Sequence, residues 1–123
     1  MKKILSITLS LLMVLTSISF TSTVFATNIP STTITSVKAK SEAFTIKWKK
    51  KTNIAGYQIQ YSTNKKFKKG NKTITVKSTK STSATIKKLK SKKKYYVRMR
   101  TYKIVNGKKV YSAWSKAKSV KVK

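Results

Sequence analysis

Phe44-Thr45-Ile46-Lys47-Trp48-Lys49 alternates apolar and polar side chains without a break. Successive side chains of an extended chain point to opposite faces, so Phe44, Ile46 and Trp48 share one face while Thr45, Lys47 and Lys49 share the other. The pattern predicts a strand buried on one side, and no helical period fits it. The same reading extends outward. Tyr57-Gln58-Ile59-Gln60-Tyr61 follows Gly56 and turns Tyr57, Ile59 and Tyr61 to one face. Further short strands are expected at Ile34 to Lys38, at Lys72 to Lys77 around Ile74 and Val76, and at Ser83 to Lys87 around Ala84 and Ile86. The longest spans Lys94 to Val105, setting Tyr95, Val97, Met99 and Thr101 against Tyr96, Arg98, Arg100 and Tyr102, all in a stretch rich in β-formers. Asn106-Gly107, between Ile104-Val105 and Val110-Tyr111, predicts a tight hairpin because both residues accept positive φ. A final strand then pairs back on the long one. Seven short strands joined by turns rich in Lys, Ser, Thr, Asn and Gly are the pattern of one small all-β antiparallel sandwich, and no internal repeat is visible.

Composition narrows the chemistry. The 123 residues carry 30 Lys and Arg against one acidic residue, with no His and no Cys, for a formal net charge of +29. Without His or Cys there is no imidazole base, no thiol nucleophile, no zinc site of the usual kind and no disulfide. With Glu42 the only carboxylate, a general acid/base pair, a glycosidase pair and a carboxylate cage for Ca²⁺ or Mg²⁺ are excluded. Ser, Thr, Lys and Tyr remain, and nothing marks a Ser/Lys dyad among them. The reading is a non-enzyme with no cofactor. Such a charge is expected to attract polyanions: nucleic acid, teichoic-type wall polymers, acidic polysaccharides or anionic headgroups. Because 28 of the basic residues are Lys and only Arg98 and Arg100 are Arg, the charge reads as a diffuse field, not a base-reading surface. A Lys-biased genome accounts for the same charge, so both origins stand at this level.

Residues 1–26 have the form of a secretory signal peptide, with Lys2 and Lys3, an apolar stretch from Ile4 to Phe20, and a polar run ending Val24-Phe25-Ala26. Cleavage is expected between Ala26 and Thr27, the alternative being an uncleaved N-terminal anchor. Either way an exported, extracellular domain is expected, without a lipoprotein Cys or a second apolar segment, and so without a membrane span in the mature chain. Loss of Lys2 and Lys3 takes the +29 to +27. Residues 27–31 form a short lead-in, and residues 32–123 form the domain. Lacking Cys, that domain must stand on its hydrophobic core alone.

Taken together, Trp48, Gly56-Tyr57-x-Ile59-x-Tyr61, and Leu89 six residues before Tyr95 in Tyr95-x-Val97-Arg98-Met99-Arg100 resemble a fibronectin type III domain. The resemblance covers residues 29–123. It implies an immunoglobulin-like sandwich with strands A, B and E facing C′, C, F and G, and with Trp48, Tyr57, Tyr61 and Leu89 as structural positions. It also implies a tyrosine corner in which the Tyr95 hydroxyl caps a backbone group near Leu89. Two features depart from the family pattern. The corner before Tyr95 lacks the usual Pro-Gly and reads Lys90-Ser91-Lys92-Lys93-Lys94, and the hairpin carries Asn106-Gly107 where integrin-binding members carry Arg-Gly-Asp. The resemblance therefore implies no integrin binding; it is nearest to modules of exported bacterial proteins that serve as spacers or adhesion elements.

Three constellations stand out. Arg98 and Arg100 lie two residues apart on one face, and Tyr111-Ser112-Ala113-Trp114-Ser115 resembles the Trp-Ser-x-Trp-Ser box of cytokine-receptor fibronectin domains. That resemblance implies a structural cation–π ladder of Trp114, Arg98 and Arg100, with Tyr96 as a further member; a surface stacking sugars or bases is the alternative. A second group is a lysine-rich pole. Lys65, Lys66, Lys68 and Lys69 follow the third strand, and Lys87, Lys88, Lys90, Lys92, Lys93 and Lys94 lie around the loop before the sixth. The resemblance brings the two loops to one end as a polyanion clamp, against plain solvated loops. The third is an outward face of Tyr96, Tyr102, Tyr111 and Trp114 among Lys103, Lys108 and Lys109, read as a stacking surface or as ordinary cross-strand pairs. The expectation is a secreted, monomeric, non-catalytic module acting in surface association or adhesion, by electrostatic binding to anionic polymers of cell wall or matrix. A passive spacer and a non-specific extracellular nucleic-acid binder are the alternatives.

Overall fold

Alternation of buried and exposed residues along residues 44–49 fixes the first sheet in a computed structural model that describes residues 28–123. The expected signal segment and its cleavage point between Ala26 and Thr27 lie outside the described residues. Among the described residues eight strands run in order: β1 (Ile34–Lys40), β2 (Ala43–Trp48), β3 (Gly56–Ser62), β4 (Lys72–Val76), β5 (Ser83–Ile86), β6 (Lys94–Val105), β7 (Lys108–Tyr111) and β8 (Lys118–Lys121). One sheet has the order β1-β2-β5, and the other the order β4-β3-β6-β7, with β8 also paired to β6. Every pairing is antiparallel. Phe44, Ile46 and Trp48 from the first sheet close on Tyr57, Ile59, Val97 and Met99 from the second. Burial of these side chains is the main stabilising term.

Aromatic rings tie the two layers. Trp48 packs on Tyr57 with ring centroids 5.3 Å apart, and Phe44 meets Tyr61 edge-on at 6.2 Å. The Tyr57 hydroxyl accepts from Lys51 N–H at 2.9 Å. Among the described residues, the Trp48 indole N–H is buried with no hydrogen-bond partner. The tyrosine corner forms through Lys90, whose N–H donates to the Tyr95 hydroxyl at 3.0 Å.

The expected seven strands are eight, because the last one is cut in two. Met99 N–H donates to Ser115 Oγ at 3.0 Å while Ser115 N–H donates to Met99 O at 2.7 Å. Thr101 N–H and Ser112 make the same exchange, each bond 3.0 Å. Serine hydroxyls thus stand where backbone carbonyls of a partner strand would accept. The regular ladder with β6 stops at Tyr111 and resumes at Lys118, opposite Val97, with only the Ser112 and Ser115 N–H groups bonding β6 carbonyls between them. The hairpin before this break turns on Asn106 at φ 51° and Gly107 at φ 77°, as the Asn-Gly signal requires.

Gly56 begins β3 beneath the Tyr102 ring. A Cβ there would sit 2.9 Å from a Tyr102 ring carbon and would collide with the Val76 carbonyl oxygen. Gly56→Ala is expected to destabilise the domain by about 2 kcal/mol through overpacking against rigid backbone. Denaturant unfolding reads this directly, and an unchanged midpoint would contradict the packing described.

Candidate functional site

The loop from residue 63 to 71 and the loop from residue 87 to 93 meet at one end of the sandwich, and all ten lysines expected at the pole are exposed. Neither loop is loosely held. Ser62 Oγ donates to Lys69 O at 2.7 Å, Asn64 Oδ1 accepts from Lys66 N–H at 2.9 Å, and Asn71 Nδ2 donates to Phe67 O at 2.6 Å. Phe67 lays its ring against Arg98 and is only 8% exposed, with its backbone in the left-handed region at φ 56°. The flanking lysines are carried outward on a knotted turn. In the second loop Leu89 is buried, its N–H donating to Glu42 O at 2.9 Å, and Lys92 N–H donates to Val122 O at 2.8 Å. Val122 N–H returns a bond to Lys93 O at 2.9 Å. Lys88 and Lys92 both sit at φ 60°, a conformation that costs a non-glycine residue roughly 1 kcal/mol or more.

Between the loops lies a cleft of about 210 Å³ whose walls include Tyr61 and Tyr95, with Lys72, Lys88, Lys90 and Lys93 around them. Three of the ten expected lysines therefore converge there, joined by Lys72, which the sequence reading placed in a strand without assigning it a role. Lys65, Lys66, Lys68 and Lys69 do not line the cleft, and Lys94 lies instead over the Tyr96 ring at 5.6 Å. Burial pushes the Tyr61 hydroxyl pKa up from its ordinary value, and the neighbouring Tyr95 adds to the rise.

On the outer face of β6, aromatic rings and guanidinium groups alternate as Phe67, Arg98, Trp114, Arg100, Tyr111. Arg98 lies 4.2 Å from the Phe67 ring centroid and 4.3 Å from that of Trp114. Arg100 lies 4.1 Å from Trp114 and 3.7 Å from Tyr111. Each Nε is fixed from β3, Arg98 donating to Gln60 Oε1 and Arg100 to Gln58 Oε1, both at 2.8 Å. These glutamines stand directly opposite the two arginines in the sheet register. Burial lowers both guanidinium pKa values; at Arg100 nearby Tyr111 raises it again and Arg98 lowers it further.

One expectation is corrected here. Tyr96 is not in the ladder: it pairs with Ser62 and Ser119 towards the lysine end, with its ring beside Lys94. Phe67 and Tyr111 close the two ends instead. Of the two readings of the outward aromatic face, a cross-strand pair is present, Tyr102 standing opposite Tyr111 on β6 and β7. Trp114 and Tyr111 present faces already covered by guanidinium groups, and Tyr102 is 3% exposed, packed 6.2 Å from Tyr111. Phe67 was the residue hardest to find from sequence, because it lies alone in a lysine run with no alternation around it.

The Fibronectin type III domain model matches residues 28–118. The chain belongs to the fibronectin type III family, whose members are generally non-enzymatic modules. Among solved structures it is similar to the fn3 domain of human contactin 1, at 16% identity and TM-score 0.65, covering 78% of this chain and 79% of that one. It is also similar to the chicken CNTN1 FN1-FN3 domains, at 22% identity and TM-score 0.62, covering 78% of this chain and 30% of that one. A beta-1,2-glucanase from Parabacteroides distasonis aligns at 19% identity and TM-score 0.62, covering 77% of this chain and 13% of that one. At these identities the likeness shows the fold alone. No curated protein matches the sequence. Among the described residues no cluster of His, Cys, Asp or Glu could hold a metal ion, and no helix is long and apolar enough to cross a membrane.

Proposed function

We propose that this module is a secreted adhesion element that binds anionic cell-envelope or extracellular polymer through the lysine pole. One observation carries the reading: two lysine loops, each pinned by hydrogen bonds to its backbone, border a single cleft into which Lys72, Lys88, Lys90 and Lys93 converge. Fixed backbone lowers the ordering cost of binding, and each ammonium that meets an anionic group releases a condensed counterion.

The nucleic-acid alternative takes a restricted form. Both arginines are sandwiched between rings and tied to glutamines, so neither guanidinium is free for bidentate contact with a base edge. Any binding would be independent of sequence. The direct test titrates the domain with long-chain polyphosphate across a salt series. Association whose logarithm falls linearly with the logarithm of salt, with a slope of several units, is the expected result. No binding near physiological salt would leave the spacer reading.

A further inference from the structure

The cleft at the pole is one of three hollows that share lysines. A second, of about 700 Å³, lies at the turn between β1 and β2 and is lined by Lys40, Glu42, Lys87 and Lys88. A third, of about 250 Å³, is a furrow on the outer face of the three-stranded sheet, lined by Lys38, Lys40 and Lys47 with Ser36 and Thr45. Lys88 belongs to both the cleft and the turn hollow, and Lys40 to both the turn hollow and the furrow. Resting on the polyanion reading above, we infer that the ligand is a long, linear polyanion laid along one continuous basic track, from the polar cleft past the β1–β2 turn onto the outer sheet face.

The sheet dictates the spacing on that face. Residues two apart on a strand point the same way roughly 7 Å apart, so Lys38 and Lys40 form a row along β1, and both are exposed. Lys47 on β2 stands opposite Ser36 and diagonal to Lys38, extending the row sideways. Thr45 Oγ1 and Thr85 Oγ1 lie 2.9 Å apart beside this row, one donating to the other, which leaves one hydroxyl proton of the pair for a ligand. A compact anion could occupy the cleft alone. Charges repeated along a flat face suit a ligand that repeats its own.

Glu42 sharpens the inference. The only acidic side chain of the sequence lies in the middle hollow, where it would repel a polymer passing from pole to face and leave a short anion at the pole untouched. It sits at φ 52°, with its N–H donating to Lys123 O at 2.9 Å and its carbonyl accepting from Leu89 N–H. Glu42→Gln keeps that backbone role and removes the charge.

The test compares tripolyphosphate with long-chain inorganic polyphosphate, and adds alginate to separate phosphate from carboxylate polymers. Lys38→Gln, Lys40→Gln and Lys47→Gln combined should weaken long-chain binding roughly a hundredfold at low salt, and leave tripolyphosphate binding unchanged. Glu42→Gln should tighten long-chain binding several-fold only. Melting curves check that both variants fold; the lysines are exposed, so little change is expected. Long-chain affinity unaltered by the triple substitution would overturn the track while leaving the pole intact. Tripolyphosphate binding lost along with it would overturn the division into serial segments. Failure of the unaltered protein to bind any of the three would overturn the polyanion reading itself. A preference for alginate over polyphosphate of similar length would assign the track to polyuronates, and the reverse to phosphate polymers.

Discussion

Replacing Lys88, Lys90, Lys92 and Lys93 together by Gln should weaken binding to an anionic polymer by roughly a thousandfold at low salt, from about 1 kcal/mol for each lysine near the anionic surface. It should also reduce the slope of log K against log salt by about three, because each neutralised contact contributes roughly 0.7 to 0.9. Lys72 would remain at the cleft, so binding should fall and not vanish. The fold should survive. All four side chains are exposed, and their backbone hydrogen bonds to Tyr95, Val122 and Lys90 do not use the ammonium groups. A folded variant that keeps the salt slope of the parent would remove the pole as the binding site.

Trp114→Ala should be the most damaging exposed-face substitution. The indole is the middle rung between Arg98 and Arg100, so its loss opens both cation–π contacts, worth about 0.5 to 1 kcal/mol each at exposed sites, and uncovers the apolar surface of its half-buried ring. A total near 2 to 3 kcal/mol should lower the melting temperature by roughly 10 to 20 °C in a domain of this size. Trp114→Phe keeps a ring between the guanidinium groups and should recover a large part of the loss. The comparison isolates stacking from mere bulk. Equal melting temperatures for the alanine and phenylalanine variants would show that the ladder contributes nothing beyond filling space.

Strand positions were legible wherever one face is buried and the other wet. Phe44, Ile46 and Trp48 declare their sheet by period alone, and Asn106-Gly107 declares its hairpin by backbone chemistry. The break between β7 and β8 was harder to see, because Ser112 and Ser115 look like strand residues until their hydroxyls are found accepting from β6. The ladder was half legible. Two arginines among 28 lysines marked its cations, and Trp114 its centre, while Phe67 was hidden because only the folded loop brings it under Arg98. For the lysine pole, sequence supplied the residues but not their division. Exposure is shared by all ten, whereas convergence on a cleft belongs to Lys88, Lys90 and Lys93 and depends on how the two loops are tied down. The outward aromatic face stayed open between two readings for a related reason: alternation says which side a ring takes, not what already covers it.

Adhesion by charge is tested most directly by retention of the purified domain on bacterial cell-wall sacculi, before and after their anionic polymers are stripped, across a salt series. Retention that disappears on stripping and falls steeply with salt is the predicted result. Equal, weak retention on both preparations, indifferent to salt, would contradict it.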